Sequence, residues 1–389
     1  MTDTGAALLE LGAIVIGLAI LARLAKRSRI SSAPMYLLAG LALGEGGLLP
    51  LVTTRSFVEL GAELGLILLL FMLGLEYSAR ELLGGLRSSP WAGAVDLALN
   101  LPPGIVTGLL LGWGIVPALA LGGITYVSSS GIIAMLVRDL GRRRGAEVTL
   151  IVSLLLIEDL AIAIYLPILA ALGSDGFDVA TVAVVGAALL AVGSLLWLGL
   201  RLEVGISRLL FSRSDEALVL TILGFALALA GAAQLLQISA AVGALLAGIL
   251  LSGPAAHGAQ VLLSPLRDLF AAIFFFFVGL SVDPAAIPPV LGPAVVLAVG
   301  GALTKIATGW IAASHARLDR HARLRAGVLL IPRGEFSIAI AGLAVSAGLE
   351  PEIAPLAVTY VIALSMSGTI AARFVQQGRA ETGPMMPPG

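Results

Sequence analysis

The sequence contains no cysteine and only three histidines among its 389 residues. Disulfide bonds and thiolate metal sites are therefore excluded, and the few histidines argue against a histidine-based metal centre. Charged residues make up only 12% of the chain, whereas 59% of it is hydrophobic and the mean hydropathy is +1.05. Soluble domains of this length do not have such a composition. The sequence therefore indicates an all-α polytopic membrane protein.

Thirteen apolar stretches, called spans one to thirteen below, predict about thirteen transmembrane helices. Most of them are close to the ~20 residues that a helix needs to cross a bilayer. Only Gln237 separates the eighth span from the ninth. The spans cover residues 6–25, 33–50, 57–76, 90–112, 115–137, 146–172, 179–200, 216–236, 238–252, 262–282, 286–312, 323–347 and 353–374.

Lysine and arginine are distributed unequally between the two sides of the predicted membrane domain. When the loops alternate between the sides, twenty of these residues fall on one side and Arg55 alone falls on the other. Cytoplasmic loops carry the excess of positive charge in membrane proteins. We therefore expect the N-terminus outside and the C-terminus in the cytoplasm.

Polar and helix-breaking residues interrupt the fifth and twelfth spans. In the fifth span they are Thr125, Ser128, Ser129 and Ser130, and in the twelfth they are Pro332, Arg333, Gly334 and Glu335. The two spans are seven helices apart, and because seven is odd, corresponding helices run in opposite directions. This arrangement is typical of an inverted repeat in which spans four to six match spans eleven to thirteen. Paired interrupted helices of this kind point to a transport site.

Two adjacent carboxylates, Glu158 and Asp159, lie in the middle of the sixth span. One such residue at the centre of a membrane helix costs about 2.5–3.5 kcal/mol on insertion. Neighbouring residues on a helix point about 100° apart, so the two cannot face one cavity equally. We expect Asp159 to bind a cation or a proton in turn; the alternative is a purely structural ion pair.

Lys305 is the only lysine inside a span, and it requires either a carboxylate partner there or the loss of its proton. Glu158 is the natural candidate, because the sixth and eleventh spans pack together in folds with this type of repeat. Such a pair is either structural or breaks when a cation arrives. Asp96 and Asn100, in the fourth span, either line the same cavity or form a contact between helices.

The polar residues of the interrupted spans have candidate roles of their own. The four oxygen-bearing residues Thr125, Ser128, Ser129 and Ser130 suit a hard cation, although a hydroxyl also bonds readily to the carbonyl four residues earlier in a helix. Arg333 and Glu335 are expected to neutralise the partial charges at the ends of the half-helices.

Several stretches resemble the monovalent cation:proton antiporter-2 family, which includes the Kef and Nap-type exchangers. They are APMYLLAGLALG in the second span, LGAELGLILLLFMLGLE in the third, SAAVGALLAGILLS in the ninth, PLRDLFAAIFFFFVGLSVD in the tenth and PRGEF in the twelfth. The resemblance covers residues 6–374 and implies that Asp159 is the essential aspartate and Lys305 the lysine of the eleventh span. The Glu-Asp pair at Glu158 and Asp159 is most similar to that of potassium/proton antiporters with a separate regulatory subunit.

The same resemblance implies a Nha/Nap-like fold that forms a homodimer. It divides the chain into dimerisation scaffold 1–89, transport core 90–172, linker helix 173–213, scaffold 214–283, core 284–376 and a short cytoplasmic tail 377–389. That tail is too short for a regulatory domain, which fits a separate cytosolic regulatory subunit.

The sequence thus predicts a secondary antiporter, and not an enzyme, in the inner membrane of a bacterium or archaeon. A monovalent cation, K⁺ in preference to Na⁺, and a proton compete for Asp159 in an elevator-type cycle, without a cofactor and without nucleic acid as a partner. If Lys305 stays charged, one proton replaces one cation; if it releases a proton, two do. The alternatives are an electrogenic Na⁺/H⁺ antiporter, a bile-acid-type symporter and a cation channel.

Overall fold

A computed structural model describes residues 4–28, 31–44, 55–76, 90–139, 146–175, 214–235, 240–251 and 254–377, together with five isolated residues between 186 and 197. These parts of the chain are helical and contain no strand. Within them, a 3₁₀ turn spans Pro284–Ala286. The fourteen α-helices are α1 (Thr4–Ser28), α2 (Ala33–Leu43), α3 (Arg55–Glu76), α4 (Pro90–Leu110), α5 (Ile115–Tyr126), α6 (Ser130–Asp139), α7 (Ala146–Asp175), α8 (Asp215–Leu235), α9 (Ala240–Leu250), α10 (Pro254–Leu280), α11 (Ile287–His315), α12 (Arg320–Leu329), α13 (Glu335–Ser346) and α14 (Ile353–Gln377).

Twelve of the thirteen predicted spans correspond to these helices, ten as single helices and two as helix pairs. The all-α membrane class is therefore confirmed, and seven of the described spans are long and apolar enough to cross a bilayer. The seventh span, 179–200, lies outside the described residues except for isolated positions. The boundary between the eighth and ninth spans also lies outside them, as does the tail beyond Gln377.

The two interrupted helices predicted from the sequence are confirmed. Helix α5 ends at Tyr126, and three residues without helical structure separate it from α6. Helix α12 ends at Leu329, and α13 begins only at Glu335. Pro332 supplies a physical reason for the second break, because proline has no N–H and disfavours the α conformation of the residue before it. The first break exposes the N–H of Ser128, which donates to Glu158 and so makes no helical hydrogen bond.

The described helices pack in two groups. In one group, α10 packs against α2 and α3, and α9 packs against α3 and α8. A compact apolar cluster, to which Phe71, Ile222, Ala247 and Leu263 belong, fills the space between α3, α8, α9 and α10. In the other group, α4 packs against α5 and α11, while α11 also contacts α12 and α14. The interrupted helices and α7 belong to this second group.

Helix α11 shows how apolar periodicity orients a functional residue. Leu297, Gly301, Lys305 and Thr308 recur at intervals of three or four residues and form the buried face. Valine and leucine side chains on the opposite face are exposed, as expected where a helix meets lipid; they are Leu291, Val295, Val296, Val299 and Leu303. The helix therefore directs its one lysine into the protein and away from the membrane.

Candidate ion-binding site

The two helix breaks cross and are hydrogen-bonded to each other. The N–H of Ser129 donates to the carbonyl oxygen of Pro332 at 2.9 Å. The hydroxyl of Ser337 donates to the carbonyl oxygen of Ile124 at 2.9 Å. A close approach at Gly334 permits the crossing, because a side chain there would meet the side chain of Ser129. The crossing is therefore a specific junction built from exposed backbone groups of both breaks.

Arg333 is fully buried at this junction and donates to carbonyl groups of both interrupted helices. Its Nη2 donates to the Thr125 carbonyl at 3.1 Å, and its Nη1 donates to the Leu330 and Ile331 carbonyls at 3.1 and 3.0 Å. The final carbonyls of a helix lack intrahelical partners and carry partial negative charge. Arg333 thus satisfies the C-terminal ends of α5 and α12 together, and its Nε lies 3.2 Å from the hydroxyl of Tyr360.

Glu158 lies beside the first break and receives several hydrogen bonds there. The N–H of Ser128 donates to Oε2 at 2.5 Å, and Ser128 Oγ lies 3.1 Å from Oε1. Lys305 Nζ donates to Oε1 at 2.8 Å. Asp159, the next residue along α7, is also buried. The structure therefore places the carboxylate pair at the interrupted helices, with Glu158 tied to both Ser128 and Lys305.

Lys305 forms two ion pairs in the protein interior. Its Nζ lies 2.7 Å from Asp96 Oδ1 and 2.8 Å from Glu158 Oε1, and all three side chains are almost completely shielded from solvent. The ammonium group also lies 5.5 Å from the centre of the Tyr126 ring, within cation–π distance. One buried cation is thus shared by carboxylates from α4 and α7.

Asn100 organises the polar contact between α4 and α11. Its Nδ2 donates to Asp96 Oδ1 at 2.9 Å and to Thr308 Oγ1 at 3.0 Å. Its Oδ1 accepts a hydrogen bond of 2.8 Å from Thr304 Oγ1, and its carbonyl accepts one of 3.0 Å from Thr125 Oγ1. These bonds place the Asp96 carboxylate in a network that extends from α4 to α5 and α11.

The predicted hydroxyl ligands are all buried around the first break, but they occupy different environments. The Thr125 hydroxyl donates to the carbonyls of Asn100 and Gly122. Ser128 contacts Glu158 and Leu330, Ser129 accepts from the N–H of Ile132, and Ser130 begins α6. Glu335 begins α13, and its side chain lies outside the described part of the structure.

Sequence reasoning did not identify several residues that complete the site. Asp96 was predicted to line the cavity or to form a contact between helices, not to be a second partner of Lys305. Thr304 and Thr308 flank Lys305 at positions i−1 and i+3, a spacing that places Thr308 on its face of α11 and could have pointed to this network. Nothing in the sequence around Tyr360 indicates its contact with Arg333.

The side chains of the site carry an excess of negative charge when they are ionised. Among the described side chains of the site, Asp96, Glu158 and Asp159 supply three carboxylates against the cations Lys305 and Arg333, which gives a formal charge of −1. Arg333 is occupied with backbone carbonyls. Carboxylates gathered at membrane depth favour the binding of a cation or of protons.

Buried carboxylates beside two crossed, interrupted membrane helices define a secondary ion transporter. The chain matches the family described as "Sodium/hydrogen exchanger, transmembrane" over residues 13–377. It belongs to this family. The resemblance to cation:proton antiporters is thereby confirmed, and the protein is a multi-pass cation/proton antiporter, a transporter rather than an enzyme.

Similar proteins agree with this assignment. The chain is 30% identical to the K⁺/H⁺ antiporter subunit KhtU of Bacillus subtilis, over 94% of this chain and 92% of that protein. It is 28% identical to the ammonium/H⁺ antiporter subunit AmhT of Alkalihalophilus pseudofirmus, over 94% and 93% of the two chains. The fold is similar to that of the sodium proton antiporter MjNhaP1 from Methanocaldococcus jannaschii, with a TM-score of 0.72 and 16% sequence identity. The match covers 95% of this chain and 99% of that one.

Proposed function

We propose that this protein exchanges K⁺ for protons, and that the two ions compete for the carboxylate of Asp159. The observation that carries the proposal is the buried Glu158–Asp159 pair beside the crossed helix breaks, with Glu158 bonded to Ser128 and Lys305. Oxygen atoms of Ser128, Ser129 and Ser130 supply further ligands as the cation enters. Similarity to KhtU along most of the chain supports K⁺ as the cation.

Competition for one carboxylate couples the two ion flows. When the cation leaves Asp159, a proton must replace it before the site crosses the membrane, because a bare carboxylate is costly in the low-dielectric barrier. Lys305 Nζ lies 2.7 and 2.8 Å from two carboxylates, which supply the countercharge of a buried ammonium group. We therefore propose that Lys305 stays charged and that one proton is exchanged for one cation.

The two packing groups of helices support an elevator-type cycle. The scaffold, 1–89 and 214–283, would form a homodimer interface with a second copy of the chain. The core, 90–172 and 284–376, would carry the site across the membrane, and the segment 173–213 would link the two. The N-terminus faces outward and the C-terminus faces a cytosolic regulatory subunit in this scheme. KhtU and AmhT are themselves named as antiporter subunits, which supports such a partner.

Exchange in proteoliposomes with a pH-sensitive dye tests the proposed site. Addition of K⁺ should release protons from vesicles that contain the wild-type protein, and Asp159→Asn should abolish the response. Asp215→Asn is the matched control, because Asp215 is an exposed aspartate in the first turn of α8. Retained exchange in Asp159→Asn would contradict the role of Asp159.

Cation selectivity and stoichiometry require separate measurements. Na⁺, Li⁺ and Rb⁺ are added in turn, and a larger response to Na⁺ than to K⁺ would favour a sodium/proton antiporter. Ammonium is a second candidate because of the similarity to AmhT; its response is compared with Asp159→Asn vesicles, which correct for diffusion of ammonia. Each uncompensated charge couples to the potential by about 2.3 kcal/mol per 100 mV, so a 1:1 exchange should not respond to a clamped potential.

A further inference from the structure

Lys305 is poised between two carboxylates that belong to different helices. Asp96 comes from α4 and Glu158 from α7, and the distances from Nζ, 2.7 and 2.8 Å, are nearly equal. An ammonium group in this position can move towards one carboxylate without losing its countercharge. The other contacts of the two carboxylates therefore decide which ion pair of Lys305 persists when a cation enters.

Asp96 is anchored to the helix that carries Lys305. Asn100, one turn after Asp96, donates to Asp96 Oδ1, and its amide is bonded on both sides to threonines of α11, Thr304 and Thr308. Asp96 and Lys305 thus lie within one polar network that joins α4 to α11. Relative movement of these two helices would break several buried hydrogen bonds, each of which is costly to leave unmade.

The second oxygen of Asp96 gives the ammonium group room to shift. Oδ2 is buried and has no hydrogen-bond partner among the described residues. If Nζ moves away from Glu158, Oδ2 of the same carboxylate offers it a second acceptor. Lys305 would then be paired with Asp96 alone.

Unlike Asp96, Glu158 is not anchored to α11 by a polar network, because its remaining contacts lie at the helix break. Apart from Lys305, its described donors are the N–H and hydroxyl of Ser128. It also directly precedes Asp159, the proposed cation site. Release by the lysine would free its Oε1 for a cation bound at the adjacent residue.

We propose that Asp96 is the permanent counter-ion of Lys305, and that it acts as a positioning residue which lets Glu158 turn to the incoming cation. This inference rests on the proposed function and adds to it a cation site with two carboxylates. Lys305 remains charged and paired throughout, so no uncompensated ammonium is left in the interior. Without Asp96, Lys305 would remain bound to Glu158 and would compete with the cation.

The test compares Asp96→Asn with the wild type in the K⁺ dependence of exchange. The KM for K⁺ should rise by about tenfold, the range of coupling seen between charges in contact, whereas the maximal rate should change by less than about threefold. The apparent K⁺ affinity obtained from thermal stabilisation of the detergent-solubilised protein should fall in parallel. Asp96→Glu should restore most of the affinity, and Asp215→Asn is again the matched control.

A double-mutant comparison separates this role from simple structural support. In a Lys305→Gln background, Asp96→Asn should change the K⁺ affinity in the stabilisation assay by less than about twofold, since there is no lysine left to hold. An equal loss of affinity in both backgrounds would overturn the inference, as would an unchanged KM in the single variant.

If Asp96→Asn does not fold, Thr308→Val provides a second test, because it removes one support of Asn100. This variant should raise the KM by a smaller factor, and an unchanged KM would overturn the inference. Absence of exchange by the wild type would instead contradict the proposed function.

Discussion

Arg333, in the break between α12 and α13, donates a hydrogen bond of 3.1 Å to the carbonyl oxygen of Thr125 at the end of α5. The same guanidinium group donates to the Leu330 and Ile331 carbonyls of its own break. A single side chain therefore joins the two interrupted helices at the point where each would otherwise expose unsatisfied carbonyls. This contact explains how an arginine can be fully buried at membrane depth.

Replacement of Arg333 should strongly destabilise the crossing. Arg333→Met leaves several buried carbonyls without donors and should lower the free energy of unfolding by about 3–5 kcal/mol. Arg333→Lys should also be destabilising, because an ammonium group cannot reproduce the fork of guanidinium donors. Thermal unfolding in detergent measures the loss. Arg320→Met, at an exposed position of α12, is the control and should have a small effect.

Gly334 and Gly342 form a matched pair for testing the close approach of the two breaks. A Cβ atom at Gly334 would meet the side chain of Ser129, whereas one at Gly342 would meet nothing within 4 Å. Gly334→Ala should cost about 1–3 kcal/mol of stability through overpacking and should reduce exchange. Gly342→Ala, inside α13, should be neutral or stabilising by up to about 1 kcal/mol. Equal unfolding temperatures for the two variants would contradict the packing described at the crossing.

Another buried ion pair joins the first turn of α7 to α12. Arg325 Nε lies 3.0 Å from Glu147 Oε1, and both side chains are about nine-tenths buried. Either substitution breaks a buried ion pair, so Glu147→Gln and Arg325→Gln should each cost about 3 kcal/mol. The double variant should be destabilised by less than the sum of the two, as measured by thermal unfolding. Additive losses would indicate that the pair contributes no coupling between α7 and α12.

Asp319 should make the stability of α12 depend on pH at the acid end. Its carboxylate caps the helix by accepting a 2.8 Å hydrogen bond from the N–H of Ala322, and this bond lowers the pKa of Asp319 below its ordinary value. A lowered pKa in the folded state means that the stabilisation is complete above about pH 4, near the pKa in the unfolded chain. It is lost as the pH falls through the folded-state value. Asp319→Asn keeps a capping oxygen but cannot ionise.

The measurement for Asp319 is the difference in unfolding temperature between the wild type and Asp319→Asn from pH 7 down to pH 3. We expect the advantage of the wild type to shrink as the pH falls below about 4. A difference that stays constant over the whole range would show that the charge of Asp319 does not contribute.

Local features of the sequence accounted for most of the helical architecture. The breaks at Ser128 and at Pro332 to Gly334 were visible because proline, glycine and clustered serines disrupt an apolar run wherever they occur. The need of Lys305 for a carboxylate was likewise visible, since a charge at membrane depth requires compensation. The roles of the site residues in transport remain predictions that the experiments above can test.

The contacts between side chains of the site could not be predicted from the sequence. Asp96 and Lys305 are separated by 209 residues along the chain, and their ion pair exists only because α4 packs against α11. The repeat pattern singled out Glu158 as the partner of Lys305, and nothing in the sequence indicated that Asp96 would share this lysine. The contact between Arg333 and Tyr360 depends in the same way on how α14 packs behind the crossing.

The sequence by itself determined that this is a membrane protein with interrupted helices and buried charges, because hydrophobic length, helix breaking and the cost of burying charge are local properties of the chain. Only the tertiary structure decided which charges meet. Ion pairs and hydrogen bonds act over a few ångströms, so the packing of helices far apart in the chain determined that Lys305 is shared by Asp96 and Glu158 and that Arg333 joins the two breaks.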